Sequence, residues 1–436
     1  MKRIRHVPKV LRAYWRARRL QFTDRATLLS HQHLMLQQFM ALVTEYSPFY
    51  AAYAGAPLCD WPQMDKARML ANFGRINTVG LQLEDVMAAA LAAERSRDFT
   101  PTLRGYTVGL SSGTSGRRGA FVVSGQERAA WAGTLLAKAL PGGLFDPGQR
   151  VALLLRANSN LYETIRLPWL RFQFFDLFQP FADTIAALAD YRPTIVVAPA
   201  QVLRELALGR RRGTVPRPFT AVSVAEVLDA RDRALIEDAF GPVHELYQAT
   251  EGFLGATCSQ HRLHLNEAYL HVEQEWLPPA ADGRRRFVPV ITDFSRLTQP
   301  IVRYRLDDIL VASEAPCSCG NVELAIDAVE GRCDDALHLP QRLGGRVTVF
   351  ADVVHRILAQ ALPLEAEYQL VQSGQCRLKL LSNTDASSAR QCRQALSAML
   401  EQQGVDVAAL AFEMAPLSAM FDPTVKRRRL VRAYQP

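Results

Sequence analysis

Apolar positions along this chain follow two different periods. Between residues 29 and 43, Leu, Phe and Val recur at helical spacing and Pro48 marks a break, so the first 95 residues are predicted to be mainly helical. From about residue 100 to 250, short apolar runs alternate with amphipathic segments. The predicted strands are 151–155, 194–200 and 221–224, and the predicted helices are 181–191, 201–208 and 230–240. This alternation is typical of an α/β fold with an open, largely parallel sheet covered by helices.

The rest of the chain has a different pattern. Residues 263–310 are richer in short strands and turns, which predicts a β-rich subdomain. Beyond it, residues 353–362 have the pattern of an amphipathic helix and 378–382 that of a strand, which predicts a smaller α+β unit. A chain of 436 residues exceeds the usual size of one hydrophobic core, so two or more domains are expected.

Composition excludes several classes of protein. A hydrophobic content of 49% with 22% charged residues is typical of a soluble globular protein. No apolar run approaches the roughly 18–20 residues that span a bilayer. Arginines interrupt the apolar residues at the N-terminus, so no signal peptide is predicted and a cytoplasmic location is expected.

The positive charge is concentrated at the N-terminus. The formal net charge is +8, and residues 1–19 hold eight Lys or Arg residues and no acid, so the remaining chain sums to zero. A basic arm that also contains Tyr14 and Trp15 is a candidate for peripheral contact with an anionic membrane or an acidic partner, and a solvated helix face is the simpler interpretation. Nucleic-acid binding is not expected, because the remaining chain has no basic stripe.

Residues 111–119 read SSGTSGRRG and lie between two apolar segments. A loop of this composition offers backbone N–H groups, hydroxyls and two cations, which is the chemistry that holds a polyphosphate. It lacks the GxxxxGK[ST] pattern of a Walker loop, and taken alone it is equally well a mobile polar hairpin tip.

Four further motifs follow in a fixed order: YQATEG at 247–252, PIVRYRLDD at 300–308, GRCDD at 331–335 and KRRR at 426–429. Together with the loop at 111–116 they resemble the ordered motifs of the adenylate-forming superfamily, which includes acyl-CoA synthetases, luciferases and the adenylation domains of peptide synthetases. The nearest resemblance is to the branch of phenylacetate-CoA ligase, CapK-type proteins and the synthetase that adenylylates the methanogen deazaflavin coenzyme. It covers the chain from about Ser47 onwards.

The resemblance implies three regions. They are a helical N-terminal region with the basic arm at 1–95, a nucleotide-binding adenylation core at 96–333, and a small, mobile α+β C-terminal domain at 334–436. The core is expected to be α/β, with mostly parallel sheets and the β-rich subdomain. Asp334 matches the hinge about which the small domain swings between the two half-reactions.

The resemblance also implies ATP and magnesium as cofactors. The loop that wraps the β- and γ-phosphates is formed by Ser111, Ser112, Gly113, Thr114, Ser115 and Gly116. Arg117 and Arg118 stand where such families often have a lysine. Ala225, Glu226 and Tyr247 are expected beside the adenine, Asp308 at the ribose hydroxyls, and Arg332 near the ribose and phosphate. Asp307 replaces the glycine that is usual before Asp308.

Three residues are expected to act on the reacting groups. Thr250 matches a residue that contacts phosphate oxygens, and Glu251 matches a magnesium ligand, a role that suits a hard carboxylate oxygen. The alternative for this pair is an ordinary helix start. Lys426 matches the mobile lysine that stabilises the α-phosphate, and the alternative for it is an ordinary basic tail.

Cysteine usage predicts a second type of site. Seven cysteines are an odd number, which argues against a disulfide framework. Cys258, His264, Cys317 and Cys319 form a Cys₃His set, a standard complement for structural zinc. Their spacing is unusual for a zinc finger but resembles the Cys and His elements of phenylacetate-CoA ligase-like proteins. His261 is a rival nitrogen ligand, and free buried cysteines are the alternative.

The leading hypothesis is ATP-dependent adenylation of an aryl or acyl carboxylic acid, followed by transfer to a thiol of coenzyme A or a carrier protein. The runner-up is transfer of AMP to a hydroxyl of a coenzyme or other small molecule, and the third is a binding protein with an inactive site. The segment 337–350 replaces the glycine-rich stretch that is usual in coenzyme A ligases, which puts coenzyme A in doubt. Phenylalanines at 172–181 are candidates for an aryl pocket, and a buried strand or helix explains them equally well.

Overall fold

The computed structural model describes residues 7–111, 118–140, 142–156, 169–215, 219–279, 283–332, 336–363, 365–417 and 422–434. The α-helices in these residues are α1 (Val7–Arg19), α2 (Arg25–Tyr46), α3 (Lys66–Ala71), α4 (Phe73–Ile76), α5 (Leu83–Ser96), α6 (Gly125–Ala139), α7 (Phe181–Tyr191), α8 (Ala200–Arg211), α9 (Ala230–Phe240), α10 (Ala351–Ala361) and α11 (Ala386–Gln402). Short 3₁₀ turns occupy Tyr50–Tyr53, Leu58–Asp60 and Val407–Ala409. None of these helices is both long and apolar enough to cross a bilayer.

The strands divide among one large sheet and three smaller ones. They are β1 (Thr107–Leu110), β2 (Ala120–Val123), β3 (Arg150–Leu155), β4 (Arg171–Asp176), β5 (Ile195–Ala198), β6 (Thr220–Val224), β7 (His244–Ala249), β8 (Gly252–Thr257), β9 (Leu263–Leu265), β10 (Leu270–Leu277), β11 (Arg286–Asp293), β12 (Ile301–Arg305), β13 (Asp308–Ala312), β14 (Ala325–Arg332), β15 (Leu337–Pro340), β16 (Arg346–Val349), β17 (Tyr368–Gly374), β18 (Arg377–Ser382), β19 (Ala411–Pro416) and β20 (Leu430–Arg432).

The large sheet has two halves of different polarity. Its order is β10-β11-β13-β14-β9-β8-β7-β6-β5-β3-β4, with β12 paired to β11. Strands β4, β3, β5, β6 and β7 run parallel. The pairings from β7 onwards to β10 are antiparallel. The predicted α/β fold is therefore confirmed, and the β-rich region continues the same sheet.

Helices cover both faces of the parallel half. Successive strand residues point to opposite faces, so Val196 and Ala221 pack beneath α8 and α9, while Ile195 and Val222 pack against α6 and α1. The predicted helix 181–191 has the bounds of α7, and the predicted helix 230–240 has those of α9. This layering places the carboxyl ends of β6 and β7 at one open edge, the usual ligand position in sheets of this kind.

The N-terminal basic helix is packed against the body. Val10, Tyr14 and Ala17 of α1 are buried, and Val10 and Tyr14 lie in one cluster with residues of α6. The two backbones approach closely, because a Cβ on Gly133 would lie 2.5 Å from the carbonyl oxygen of Val10. From Val7 onwards this segment is therefore a fixed part of the surface, and most of its apolar residues are already covered.

The C-terminal part has its own core. The sheet β19-β18-β17-β20 carries α10 and α11, whose Val354 and Leu396 are buried with Leu370 and Leu380 of the strands. The strands β15 and β16 form a separate antiparallel ribbon. This mixture of two helices and short strands is the α+β pattern that the sequence predicts.

Candidate active site

A cavity of about 640 Å³, here called the nucleotide cavity, opens at the carboxyl ends of β6 and β7. Apart from Arg118, its lining includes every described residue that the motifs predict for the nucleotide and its chemistry: Ser111, Ala225, Glu226, Tyr247, Thr250, Glu251, Asp308, Arg332 and Lys426. Segments separated by up to 315 positions thus meet around one space. The predicted residues Ser112, Gly113, Thr114, Ser115, Gly116, Arg117 and Asp334 lie outside the described residues.

Ser111 closes the base of the loop that is predicted to hold phosphate. Its Oγ accepts a hydrogen bond from the Gly119 N–H at 2.7 Å. Arg118, predicted as a substitute for the family lysine, forms a salt bridge with Glu94 and donates to the Ser111 carbonyl, so it braces the loop base. The cation that lines the cavity here is Lys66, at the start of α3. Lys66 belongs to none of the five motifs, so the sequence alone did not identify it.

The hairpin between β7 and β8 carries Thr250 and Glu251 at its turn. The alternative of a helix start at this pair is therefore wrong. Burial raises the pKa of Glu251, and a hydrogen bond from Tyr304 and the charge of Lys66 only partly oppose it. A carboxylate enclosed in the cavity with so little neutralisation favours a bound cation, and its hard oxygens suit magnesium.

Asp308 is bound to the residue predicted to contact the adenine. The Tyr247 hydroxyl donates to Asp308 Oδ2 at 2.7 Å. Burial raises the pKa of Asp308, and the hydrogen bond from Tyr247 and the charge of Arg332 oppose that rise. Arg332 donates to Asp307 at 2.6 Å, while its Nε lies 4.0 Å from Asp308 Oδ1. Tyr247 and Arg332 therefore hold the carboxylate that is predicted to accept from the ribose.

Lys426 enters the cavity on the segment that precedes β20. Arg156 donates to the carbonyls of Pro423 and Val425, both at 2.8 Å, and to Glu226 at 2.7 Å. Glu226 is thus held in an ion pair that supports the Lys426 segment, although it was expected beside the adenine. Burial lowers the pKa of Lys426, an effect that the nearby Glu226 opposes. Ala225 has φ +68°, a left-handed conformation that is uncommon for alanine and often occurs at ligand sites.

A largely buried group of six ionised residues, here called the docking cluster, joins the C-terminal part to α8 and α9. Its members are Arg204, Asp229, Asp232, Glu367, Arg427 and Arg429. Asp232 is fully buried and contacts Arg204, Arg427 and Arg429, with Arg429 at 3.0 Å. Burial alone would raise the pKa of Asp232, but the three guanidinium groups outweigh it and hold that pKa well below its ordinary value. The KRRR motif is therefore no ordinary basic tail.

A second cavity of about 630 Å³ adjoins the first. We call it the acid cavity because it is our candidate site for the predicted carboxylic acid substrate. Phe121, Trp131, Phe253 and Tyr269 supply aromatic lining, and Asn266, Asp293 and Arg296 supply polar groups. Lys426 lines both cavities and so lies at their junction. The phenylalanines at 172–181 do not line this space. Three of them lie on β4, Phe178 lies in the following turn and Phe181 begins α7. Phe175 is part of the core, as the alternative of a buried strand predicts, while Phe178 is exposed.

The predicted zinc ligands lie together. The ligand atoms of Cys258, His264, Cys317 and Cys319 are all within 4.8 Å of one another. The Cys258 and Cys317 sulfurs are 3.7 Å apart, and Cys319 Sγ is 3.6 Å from His264 Nε2. His264 Nδ1 lies 2.9 Å from the Glu323 carbonyl, which leaves Nε2 for a metal. His261 packs near His244 and is not part of the set. Three thiols and one imidazole fit tetrahedral zinc.

Comparisons with known proteins address the fold. No protein-family model matches the chain, and no curated protein sequence is significantly similar to it. A 2-hydroxyisobutyryl-CoA ligase in its postadenylation state, solved with its acyl-adenylate, matches 94% of this chain and 91% of its own with a TM-score of 0.66 at 16% identity. The same ligase in its thioesterification state gives 0.51 at 18% identity over 94% and 89%.

A different enzyme extends the likeness. An acyl acid amido synthetase matches 90% of this chain and 88% of its own, with a TM-score of 0.51 at 10% identity. The fold of the chain is that of adenylate-forming enzymes. The likeness to the phenylacetate-CoA ligase branch stays a prediction.

Proposed function

We propose that this protein is an adenylate-forming enzyme that uses ATP to activate a carboxylic acid. The observation that carries the proposal is the position of Lys426, whose side chain lines both the nucleotide cavity and the acid cavity. Two reactants held in these adjoining spaces would meet beside one ammonium group. The fold, which adenylate-forming ligases share, supports the same conclusion.

The proposed reaction needs little proton transfer. A carboxylate oxygen of the substrate attacks the α-phosphorus of ATP, the bond to the β-phosphate oxygen breaks, and pyrophosphate leaves with its electron pair. Negative charge grows on the α-phosphate oxygens, so the enzyme has to align the two anions and stabilise charge. Lys426 and the Thr250 hydroxyl are the groups we assign to the α-phosphate.

The remaining residues bind and orient the nucleotide. Asp308, held by Tyr247, accepts from the ribose hydroxyls, and Arg332 lies between the ribose and the phosphates. Lys66 and Ser111 line this cavity, and we assign Lys66 and the sequence motif that begins at Ser111 to the β- and γ-phosphates. Glu251 offers hard carboxylate oxygens that fit magnesium, which when bound would neutralise phosphate charge.

We propose transfer of the acyl group to a thiol, of coenzyme A or a carrier protein, as the second half-reaction. The ligase that this chain resembles is known both with its adenylate and with coenzyme A. The docking cluster supports a reversible arrangement, since separated ions regain hydration that separated apolar surfaces do not. Transfer of AMP to a hydroxyl is the rival, and it predicts AMP covalently attached to the acceptor instead of free AMP.

Zinc is proposed as a structural component. Bound at Cys258, His264, Cys317 and Cys319, it would connect the end of β8 and β9 to the loop before β14. Metal analysis should find about one zinc per chain. Cys317→Ser should lower thermal stability, because metal-binding free energy contributes to folding. Cys376→Ser, outside the set, is the control, and metal-free protein with unchanged melting after chelation would contradict the assignment.

The test of the main proposal is ATP–pyrophosphate exchange with a panel of aryl and aliphatic carboxylic acids. We expect exchange that depends on both magnesium and one class of acid. Product analysis with coenzyme A then separates free AMP and thioester from an AMP adduct. Absence of exchange with every acid, while ATP still binds, would contradict the proposal and favour a binding protein.

A further inference from the structure

Three exposed aromatic rings form a row on the side of the molecule that carries the basic N-terminal helix. Trp15 is 46% exposed, Phe145 53% and Trp169 41%. Trp15 stacks on Phe145 with ring centroids 5.8 Å apart, and Phe145 stacks on Trp169 at the same distance. We call these three residues the aromatic row. Large aromatic groups exposed side by side are uncommon on a soluble surface and usually mark a contact.

The row lies beside a group of cations. Exposed on α1 are Lys9, Arg12, Arg16, Arg18 and Arg19, here called the basic rim. Residues three and four positions apart share a helix face, so Trp15 is next to Arg12, Arg18 and Arg19. Helix α1 contains no acidic residue. Over the described residues, none of these five cations takes part in an ion pair.

The packing of α1 against α6 determines which face of α1 is free for a contact. The apolar face of α1 is already covered by α6, so that face is not available for a contact with a membrane or a partner. What it presents outward is the basic rim with Trp15, fixed in orientation by the packing at Gly133. The aromatic row and the basic rim therefore form one preorganised surface.

We propose that this surface docks the protein on an anionic lipid bilayer. Tryptophan and phenylalanine rings favour the headgroup boundary, and Lys and Arg are attracted by anionic headgroups without needing shaped pockets. The charge of the rim complements such a surface, and the shallow row of rings suits a flat, deformable one. The function of this contact is to hold the enzyme at a membrane, independently of the chemistry in its two cavities.

The experiment is co-sedimentation of the full chain with vesicles of phosphatidylcholine alone and of phosphatidylcholine with 30% phosphatidylserine, at about 0.05 M and 0.3 M salt. We expect binding to the anionic vesicles that weakens at high salt. Each cation near an anionic surface strengthens binding roughly fivefold. The double variant Arg12→Gln with Arg19→Gln should therefore lower the vesicle partition coefficient about 10- to 30-fold. Trp15→Ala should lower it about 10-fold through lost interfacial burial.

Two controls separate this surface from general effects. Trp276→Ala removes an equally exposed tryptophan from β10, and Arg377→Gln with Arg390→Gln removes two exposed cations from the C-terminal part. Both should bind like the unmodified protein, and all variants should keep its melting temperature.

Equal binding to both vesicle types, no binding, or equal losses in the control variants would overturn the proposal. Self-association in sedimentation velocity that Trp15→Ala abolishes, without vesicle binding, would assign the surface to a second copy and also overturn it.

Discussion

Asp232 and Asp293 are equally buried, yet their pKa values move in opposite directions. Asp232, in the docking cluster, has three guanidinium groups around it, and they hold its pKa well below the ordinary value. Asp293, in the acid cavity, has hydrogen bonds from Ser295 and one nearby cation, Arg296. Burial raises the pKa of Asp293 to about 6. Burial alone therefore does not distinguish the two sites, but the number of neutralising neighbours does.

The difference separates the two kinds of buried charge in this molecule. The docking cluster is neutralised from within the chain, as expected of a contact that closes without a ligand. Glu251 and Asp308 in the nucleotide cavity resemble Asp293, because burial raises the pKa of each. Carboxylates left under-neutralised by the protein are typical of sites completed by a ligand or cation.

The largest effect is expected at Glu251. Glu251→Gln keeps the size of the side chain but removes the carboxylate charge to which we assign magnesium binding. Pyrophosphate exchange should therefore fall by about 10³-fold or more. Glu273→Gln, which alters an ion pair with Arg303 outside both cavities, is the matched control and should keep its activity. Full exchange by Glu251→Gln would remove this residue from the site.

Lys426→Ala should slow the first half-reaction, adenylate formation, and leave the second, thiol transfer, largely unchanged. We expect adenylate formation to slow by about 10²–10³-fold, the effect of losing one preorganised charge. Transfer from a supplied acyl-adenylate to the thiol should stay close to normal. Rapid-quench measurement of the two steps, with Lys379→Ala as control, separates these outcomes. Equal losses in both steps would mean that Lys426 acts through stability alone.

Asp232→Asn tests the docking cluster. Removing a fully buried partner leaves Arg204, Arg427 and Arg429 under-compensated, and such a change typically costs about 3–5 kcal/mol. Urea unfolding should show this loss, and adenylation should weaken because Lys426 is anchored three residues from Arg429. Asp238→Asn, whose side chain is 64% exposed beside Arg211, should change stability by less than about 0.5 kcal/mol.

The smallest effect concerns pH. Asp293 has a folded-state pKa above its unfolded one, so the native state binds protons more tightly and stability rises as pH falls from 8 towards 5. This contribution changes by at most about 1.4 kcal/mol per pH unit. Asp232 contributes no slope here, because its pKa lies below this range. The urea midpoint should depend less on pH in Asp293→Asn than in the unmodified protein. An unchanged dependence on pH would contradict a raised pKa at Asp293.

Local pattern was sufficient for much of this molecule. Apolar periodicity predicted the strands β3, β5 and β6 and the helices α7 and α9. The order of the motifs predicted that residues as distant as Ser111 and Lys426 share one site, and both line the nucleotide cavity. The docking cluster was not predictable. Its pairs join α8 and α9 to residues about 160–200 positions away, and Arg427 and Arg429 look the same in a sequence whether they are buried or solvated.

The acid cavity shows the same limit. The clustered phenylalanines on β4 were the candidates from the sequence, whereas the rings that line the cavity come singly from β2, α6, β8, the β9–β10 turn and the segment after α5. The choice between His261 and His264 likewise depended on which side of a tight turn faces the sulfurs, and spacing alone does not encode that.

The shortness of the connection between Lys426 and β20 has a kinetic consequence. Four residue steps span at most about 14 Å, so the backbone of Lys426 stays within that distance of Leu430 while β20 stays paired with β17. If the C-terminal sheet turns as a body, as the resemblance predicts, the ammonium group is carried with it, and rigid bodies of this size reorient in microseconds to milliseconds. If the lysine must leave and return once per catalytic cycle, this rotation places a ceiling on turnover, and a faster chemical step alone would not raise that ceiling.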